Sequence, residues 1–156
     1  MRPSILAAVL ASFLASSCSS EAPYGTPPLF DLRMPKAAPA DWALGSTGAR
    51  LVPFADAHAL FVPRGEAATV LQLPFGPGLA GARRVRVEYM SDGAFRLEGS
   101  LAGQACAARQ GQDTKRQPNT LELELAAPVT SDAGTLELRC LSTQVPVLLM
   151  RVQAVP

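Results

Sequence analysis

Charge is scarce in this sequence. Asp, Glu, Lys and Arg make up 17% of its 156 residues, against about 25% in an average chain, and the two signs nearly cancel. Of fourteen basic residues only Arg2 lies in the first seventeen positions, which leaves thirteen basic against thirteen acidic residues in the remainder. A balanced chain with scattered arginines has no long-range field to gather a polyanion, so nucleic acid is excluded as a partner.

Histidine is nearly absent too. His58 stands alone in Asp56-Ala57-His58, and one imidazole does not make a zinc site, so no metal or other cofactor is expected. No Gly-x-Ser-x-Gly elbow accompanies it, which removes the usual setting for a Ser/His/Asp triad. The glycine-rich stretch Gly76-Pro77-Gly78-Leu79-Ala80-Gly81 lacks the Lys-Ser/Thr of a phosphate loop and reads as a turn. Glu122 and Glu124 sit two apart on the charged side of a strand pattern, where nothing buries either one as glycoside hydrolysis requires. Arg83, Arg84 and Arg86 read as an outward ladder with acidic partners, not as an anion site. The balance of these absences is against an enzyme.

Long hydrophobic runs are missing as well. The longest, Ile5–Leu14, has ten residues; as helix it would span about 15 Å, half the hydrocarbon core of a bilayer. Behind the short start Met1-Arg2-Pro3-Ser4 it has the size of a secretory hydrophobic region. Leu14-Ala15-Ser16-Ser17-Cys18 follows. This segment resembles the lipobox of bacterial lipoproteins, where small residues precede a cysteine that takes diacylglycerol on its thiol. Ala15 departs from the more usual Leu, with Leu14 one place earlier. The resemblance implies a signal peptide over residues 1–17, lipidation of Cys18 and a cell-envelope address. Ser19, where Asp would favour retention at the inner membrane, implies the outer membrane in a Gram-negative host. Ala15-Ser16-Ser17 also satisfies the small-x-small rule of an ordinary secretory cleavage.

Residues 18–45 read as the lipidated N-terminus and a Pro/Ala-rich tether. Pro23, Pro27, Pro28, Pro35 and Pro39 interrupt regular structure. Extended at about 3.1 Å per residue, some 27 residues reach roughly 80 Å. Trp42, the one tryptophan, either caps the folded body or faces a sugar or partner. Leu29-Phe30-Asp31-Leu32 is a candidate short strand docking on the domain edge.

From residue 46 to 156 the pattern predicts a single all-β domain, a β-sandwich or jelly roll. Val85, Val87 and Tyr89 alternate with Arg84, Arg86 and Glu88; Leu121, Leu123 and Leu125 alternate with Glu122 and Glu124; Leu136, Leu138 and Cys140 alternate with Glu137 and Arg139. Period two with one charged side marks half-buried strands. Weaker candidates are Ala59–Val62, Ala68–Leu73, Ala105–Ala108 and Val147–Val155. A hairpin is expected over Arg84–Leu101, with a three-residue Ser91-Asp92-Gly93 loop and Gly93 left-handed. It sets Tyr89 against Phe95 and Val87 against Leu97, with Glu88 facing Arg96 and Arg86 facing Glu98 outside. In an oxidising compartment Cys106 and Cys140 are expected to form a disulfide. The functional expectation is a lipid-anchored module that binds or scaffolds an envelope protein or glycan, with a carbohydrate-binding jelly roll as the alternative.

Overall fold

A computed structural model describes residues 26–156; the expected signal peptide and Cys18 lie outside the described residues. Among these there is no helix, and the chain forms ten strands: β1 (Phe30–Arg33), β2 (Arg50–Phe54), β3 (Ala57–Val62), β4 (Thr69–Phe75), β5 (Arg84–Ser91), β6 (Phe95–Leu101), β7 (Gln104–Gly111), β8 (Asn119–Glu124), β9 (Gly134–Leu141) and β10 (Val147–Val155). They make two antiparallel sheets. One runs β2-β3-β10-β5-β8, with β1 also on β10; the other runs β4-β9-β6-β7. The expected all-β sandwich is the observed fold.

The alternation seen in the sequence fills the space between the sheets. Val85, Val87 and Tyr89 from β5, Leu60 and Val62 from β3, and Leu149 and Val152 from β10 face Leu71, Leu97, Leu136, Leu138 and Cys140 of the other sheet in one core. Arg84 and Arg86 are the outward ladder expected of them, and both pair with Glu122 of β8, at 3.1 and 2.9 Å.

The expected hairpin is not formed. β5 pairs with β10 and β8, whereas β6 pairs with β9 and β7, so Ser91-Asp92-Gly93 carries the chain from one sheet to the other. Gly93 is not left-handed. Ser91 organises the crossing instead: its Oγ donates to the Gly93 carbonyl (2.8 Å) and accepts from the Gly93 N–H (3.3 Å). The charged partners change accordingly. Glu98 pairs with Arg96 and Arg139, not Arg86. Tyr89 and Phe95 do meet, edge to face with centroids 4.9 Å apart, but across the sandwich. Period two fixes which side a residue faces and is silent about which strand lies alongside.

The expected disulfide is also corrected. Cys106 and Cys140 are both buried free thiols. They flank the same strand: Cys106 of β7 stands opposite Gly99 of β6, and Cys140 of β9 opposite Leu97. With β6 between them, the two strands lie about 9.5 Å apart, beyond the roughly 7 Å that a disulfide tolerates between Cα atoms. Burial pushes the Cys106 thiol up to about 11 and that of Cys140 up to about 12.

The tether, assigned to residues 18–45 on proline content, ends earlier. β1 pairs with β10 over Phe30↔Ala154 to Arg33↔Arg151, Leu29 donates its N–H to the Ala154 carbonyl (2.8 Å), and the Phe30 ring meets Phe75 at 4.5 Å. Further on, Ala43 bridges Gln72 of β4 through two backbone hydrogen bonds. The prolines here punctuate a strand and a bridge that belong to the sandwich.

Two predictions follow from the four-stranded sheet. A Cβ added at Gly99 would come within 1.9 Å of the Glu137 carbonyl oxygen on β9. Gly99→Ala should therefore lower unfolding stability by roughly 3 kcal/mol, the upper end of overpacking penalties, as read from urea midpoints. For the thiols, an aromatic disulfide reagent at pH 8 should leave Cys106 and Cys140 unmodified in the native protein and label both in denaturant.

Candidate functional site

The outer faces of the two sheets differ in chemistry. On the four-stranded sheet, outward positions carry polar partners such as Gln72, which donates to Glu137 (3.2 Å), and the Arg96–Glu98–Arg139 group. On the other sheet, one transverse row of outward residues is largely apolar. Arg50 stands opposite Phe61, Phe61 opposite Leu148, and Leu148 opposite Met90, on β2, β3, β10 and β5 in turn. The Arg50 guanidinium lies 4.6 Å from the centroid of the Phe61 ring, a cation–π contact, and donates to the Gly48 carbonyl.

This row floors a pocket of about 410 Å³. Its lining is Phe61, Leu148, Met90 and Pro146 below, with Ser91, Asp92 and Arg116 around them. The volume falls within the range of small-ligand sites. Arg116 comes from the loop between β7 and β8, and that loop is pinned. Thr114, buried, donates its N–H to the Ser91 carbonyl (2.8 Å); its hydroxyl also donates to that carbonyl and accepts from the Ser91 N–H. Asp113 accepts from the Lys115 N–H at 2.8 Å. Lys115 and Arg116 are both left-handed, with φ of 55° and 62°, a conformation that non-glycine residues adopt at a cost of about 1–3 kcal/mol each.

A second, smaller pocket of about 190 Å³ opens on the same face. It lies over a seam. β10 pairs with β3 through Val147–Leu149 and with β1 through Arg151–Ala154, while Met150 is an extra residue opposite β5. Arg33, Met34, Phe54, Ala57, His58, Glu88, Met150 and Arg151 line the gap. His58 thus sits in a pocket, but the lining brings it no hydroxyl or thiol. Arg151 Nε donates to Asp31 Oδ1 at 2.7 Å. This bond holds the Asp31 carboxyl below the usual aspartate range and raises the Arg151 guanidinium.

The residues singled out in the sequence do not converge. Trp42 lies next to the Ala43 bridge at the β4 edge of the other sheet and packs, half-buried, against the core. Tyr89 is buried, its hydroxyl accepting from the Gln112 N–H. Cys106 and Cys140 belong to the four-stranded sheet, and Cys18 lies outside the described residues. The row residues were missed. Their signal was Val147-Leu148-Leu149-Met150, an unbroken apolar run where a half-solvated strand should alternate.

No family model matches the chain, and no curated protein matches it. Solved structures share its fold. The Bacillus thuringiensis insecticidal crystal protein Cry7Ca1 superposes with a TM-score of 0.55 at 13% identity, over 72% of this chain and 20% of the toxin, so the chain spans about a fifth of that protein. The carbohydrate-binding module CBM36, solved with calcium and xylotriose, gives 0.51 at 13% identity over 72% of this chain and 92% of the module. A family 29 carbohydrate-binding module gives 0.53 at 11% identity over 81% and 86%.

The ion pair on β1 yields a pH test. Because the folded Asp31 carboxyl titrates below the unfolded one, its contribution is complete above the unfolded aspartate value, about 4, and is lost as pH falls through the lower folded value. Asp31→Asn should therefore reduce stability at pH 7 by roughly 0.5–1 kcal/mol. The gap from the parent protein should narrow in urea titrations as pH falls below the unfolded aspartate value.

Proposed function

We propose that this chain is a lipid-anchored, glycan-binding module of the bacterial cell envelope, with the outer face of the larger sheet as its binding surface. The observation that carries the reading is the row Phe61, Leu148 and Met90 with its 410 Å³ pocket. It is an apolar stretch of the larger sheet's exterior with guanidinium groups at its ends, which offer several donors each. Apolar floor and polar rim together suit a sugar ring, which has a C–H face and a girdle of hydroxyls.

The fold supports this reading. Carbohydrate-binding modules solved with xylotriose and with β-1,4-galactotriose have the same sandwich, at TM-scores of 0.51. A protein partner is the second reading, favoured by the breadth of the apolar row across three adjacent strands, and it keeps the same surface.

The anchor rests on Leu14-Ala15-Ser16-Ser17-Cys18. Each acyl methylene transferred to the bilayer contributes about 0.8 kcal/mol; one chain binds only reversibly, and two or more anchor stably. The spacer is short. From Cys18 to Phe30 there are twelve residue steps, at most roughly 40 Å of chain. The module is thereby held close to the membrane that carries it, within reach of surface polymers.

Two measurements test the proposal. Cys18→Ser should move the protein from the membrane fraction to the soluble fraction, and the mature wild-type protein should carry a diacylglyceryl mass on Cys18. An array of envelope and plant polysaccharides should give binding that Leu148→Asp abolishes and Gln72→Asp, on the opposite sheet, leaves intact. Equal loss with both variants overturns the assigned surface.

A further inference from the structure

We infer that the pocket on the larger sheet takes an acidic polysaccharide, a chain that bears carboxylates on successive sugars. The inference rests on the glycan-binding reading above and names the class of glycan.

The first argument is the placement of charge. Arg50 enters from β2 at one end of the row and Arg116 from the β7–β8 loop near β5 at the other. Among the described residues neither guanidinium has an ion-pair partner, a state they share with Arg33, Arg64, Arg83 and Arg109; what sets these two apart is their place at the ends of the row. The lining itself holds one guanidinium, Arg116, and one carboxylate, Asp92; Arg50 stands outside it against the Phe61 ring, which makes two cations to one anion along the row. Arg50 spends one face of its guanidinium on the Phe61 ring and one N–H on Gly48; its other donors are left for a ligand. Guanidinium and carboxylate match bidentately.

The second argument is backbone conformation. Lys115 and Arg116 are consecutive left-handed residues, where glycine is the comfortable choice. Folding alone gives no reason for two long cationic side chains there. The loop is nonetheless fixed by Thr114 on Ser91 and by Asp113 on the Lys115 N–H. Strain held in place by its neighbours is characteristic of functional positions, and what it supports here is the cationic rim of the pocket.

The third argument is span. Arg50 and Met90 stand on the first and last of four adjacent strands, three spacings or about 14 Å apart at 4.8 Å each. Cations at the two ends of such a row address acids on different residues of a ligand. That selects a polymer with repeated carboxylates over a single uronic acid.

The test is affinity electrophoresis of the full-length mature protein in gels containing polygalacturonate, neutral β-1,4-galactan or poly-L-glutamate. The expected result is retardation by polygalacturonate at least tenfold stronger than by either other polymer, weakening as salt rises. Arg116→Gly and Arg50→Gln should each weaken it about tenfold. Arg116→Gly should melt no lower than the parent, since glycine relieves the left-handed backbone, which separates lost binding from lost folding. Equal retardation by galactan overturns the acidic class and leaves the glycan reading standing. Equal retardation by polyglutamate overturns both, because charge alone then suffices. No retardation by polygalacturonate, with binding to a neutral glycan elsewhere on the array, overturns this inference alone.

Discussion

Strand β10 organises the larger sheet. Its nine residues, Val147–Val155, pair with β5 along one edge and with β3 and then β1 along the other. The edge passes from one partner to the other between Leu149 and Arg151, and the extra residue Met150 falls at that point. A bulge bends its strand and increases the local twist. It also resets the phase: Val147 and Leu149 point inward before it, Val152 and Ala154 after it. Without the extra residue, either the first or the second half of β10 would turn its apolar set to solvent.

The same irregularity shapes the outer surface. Before the bulge, Leu148 joins Phe61 and Met90 in the apolar row; after it, Arg151 carries polar chemistry, and Gln153, in the same phase, is buried. The seam between β3 and β1 opens the smaller pocket, and the Arg151–Asp31 pair closes the far side of that seam. Apolar floor and polar border on this face are therefore products of one strand reading two phases.

The strands were legible in the sequence because alternation marks side-chain direction directly. Arg84–Ser91, Gly134–Leu141 and Val147–Val155 were readable from period two or from apolar content. Pairing was less legible. Ser91-Asp92-Gly93 has the composition of a tight hairpin, yet the same residues serve a crossing between sheets, and only the long-range pairing of β5 with β10 decides which. β2 was not foreseen, since Pro53 and terminal Arg50 hide a five-residue strand. The cysteines were judged on compartment and inward phase, both of which leave open the strand that separates them. The candidate site was the least visible part, because its residues come from four strands and three loops and none forms a motif along the chain.

Strand β1 has a mechanical meaning. It is the first strand of the described chain, and it lies antiparallel on β10 with its four residues in continuous register. Tension applied upstream of Leu29 along the strand axis loads all those hydrogen bonds in parallel, as in a lap joint, so they must fail together. Tension perpendicular to the axis peels them one at a time from the Leu29–Ala154 contact. The resistance of this protein to being pulled from its N-terminal side thus depends on the direction of the pull, and it is greatest when the load runs along the face of the sheet.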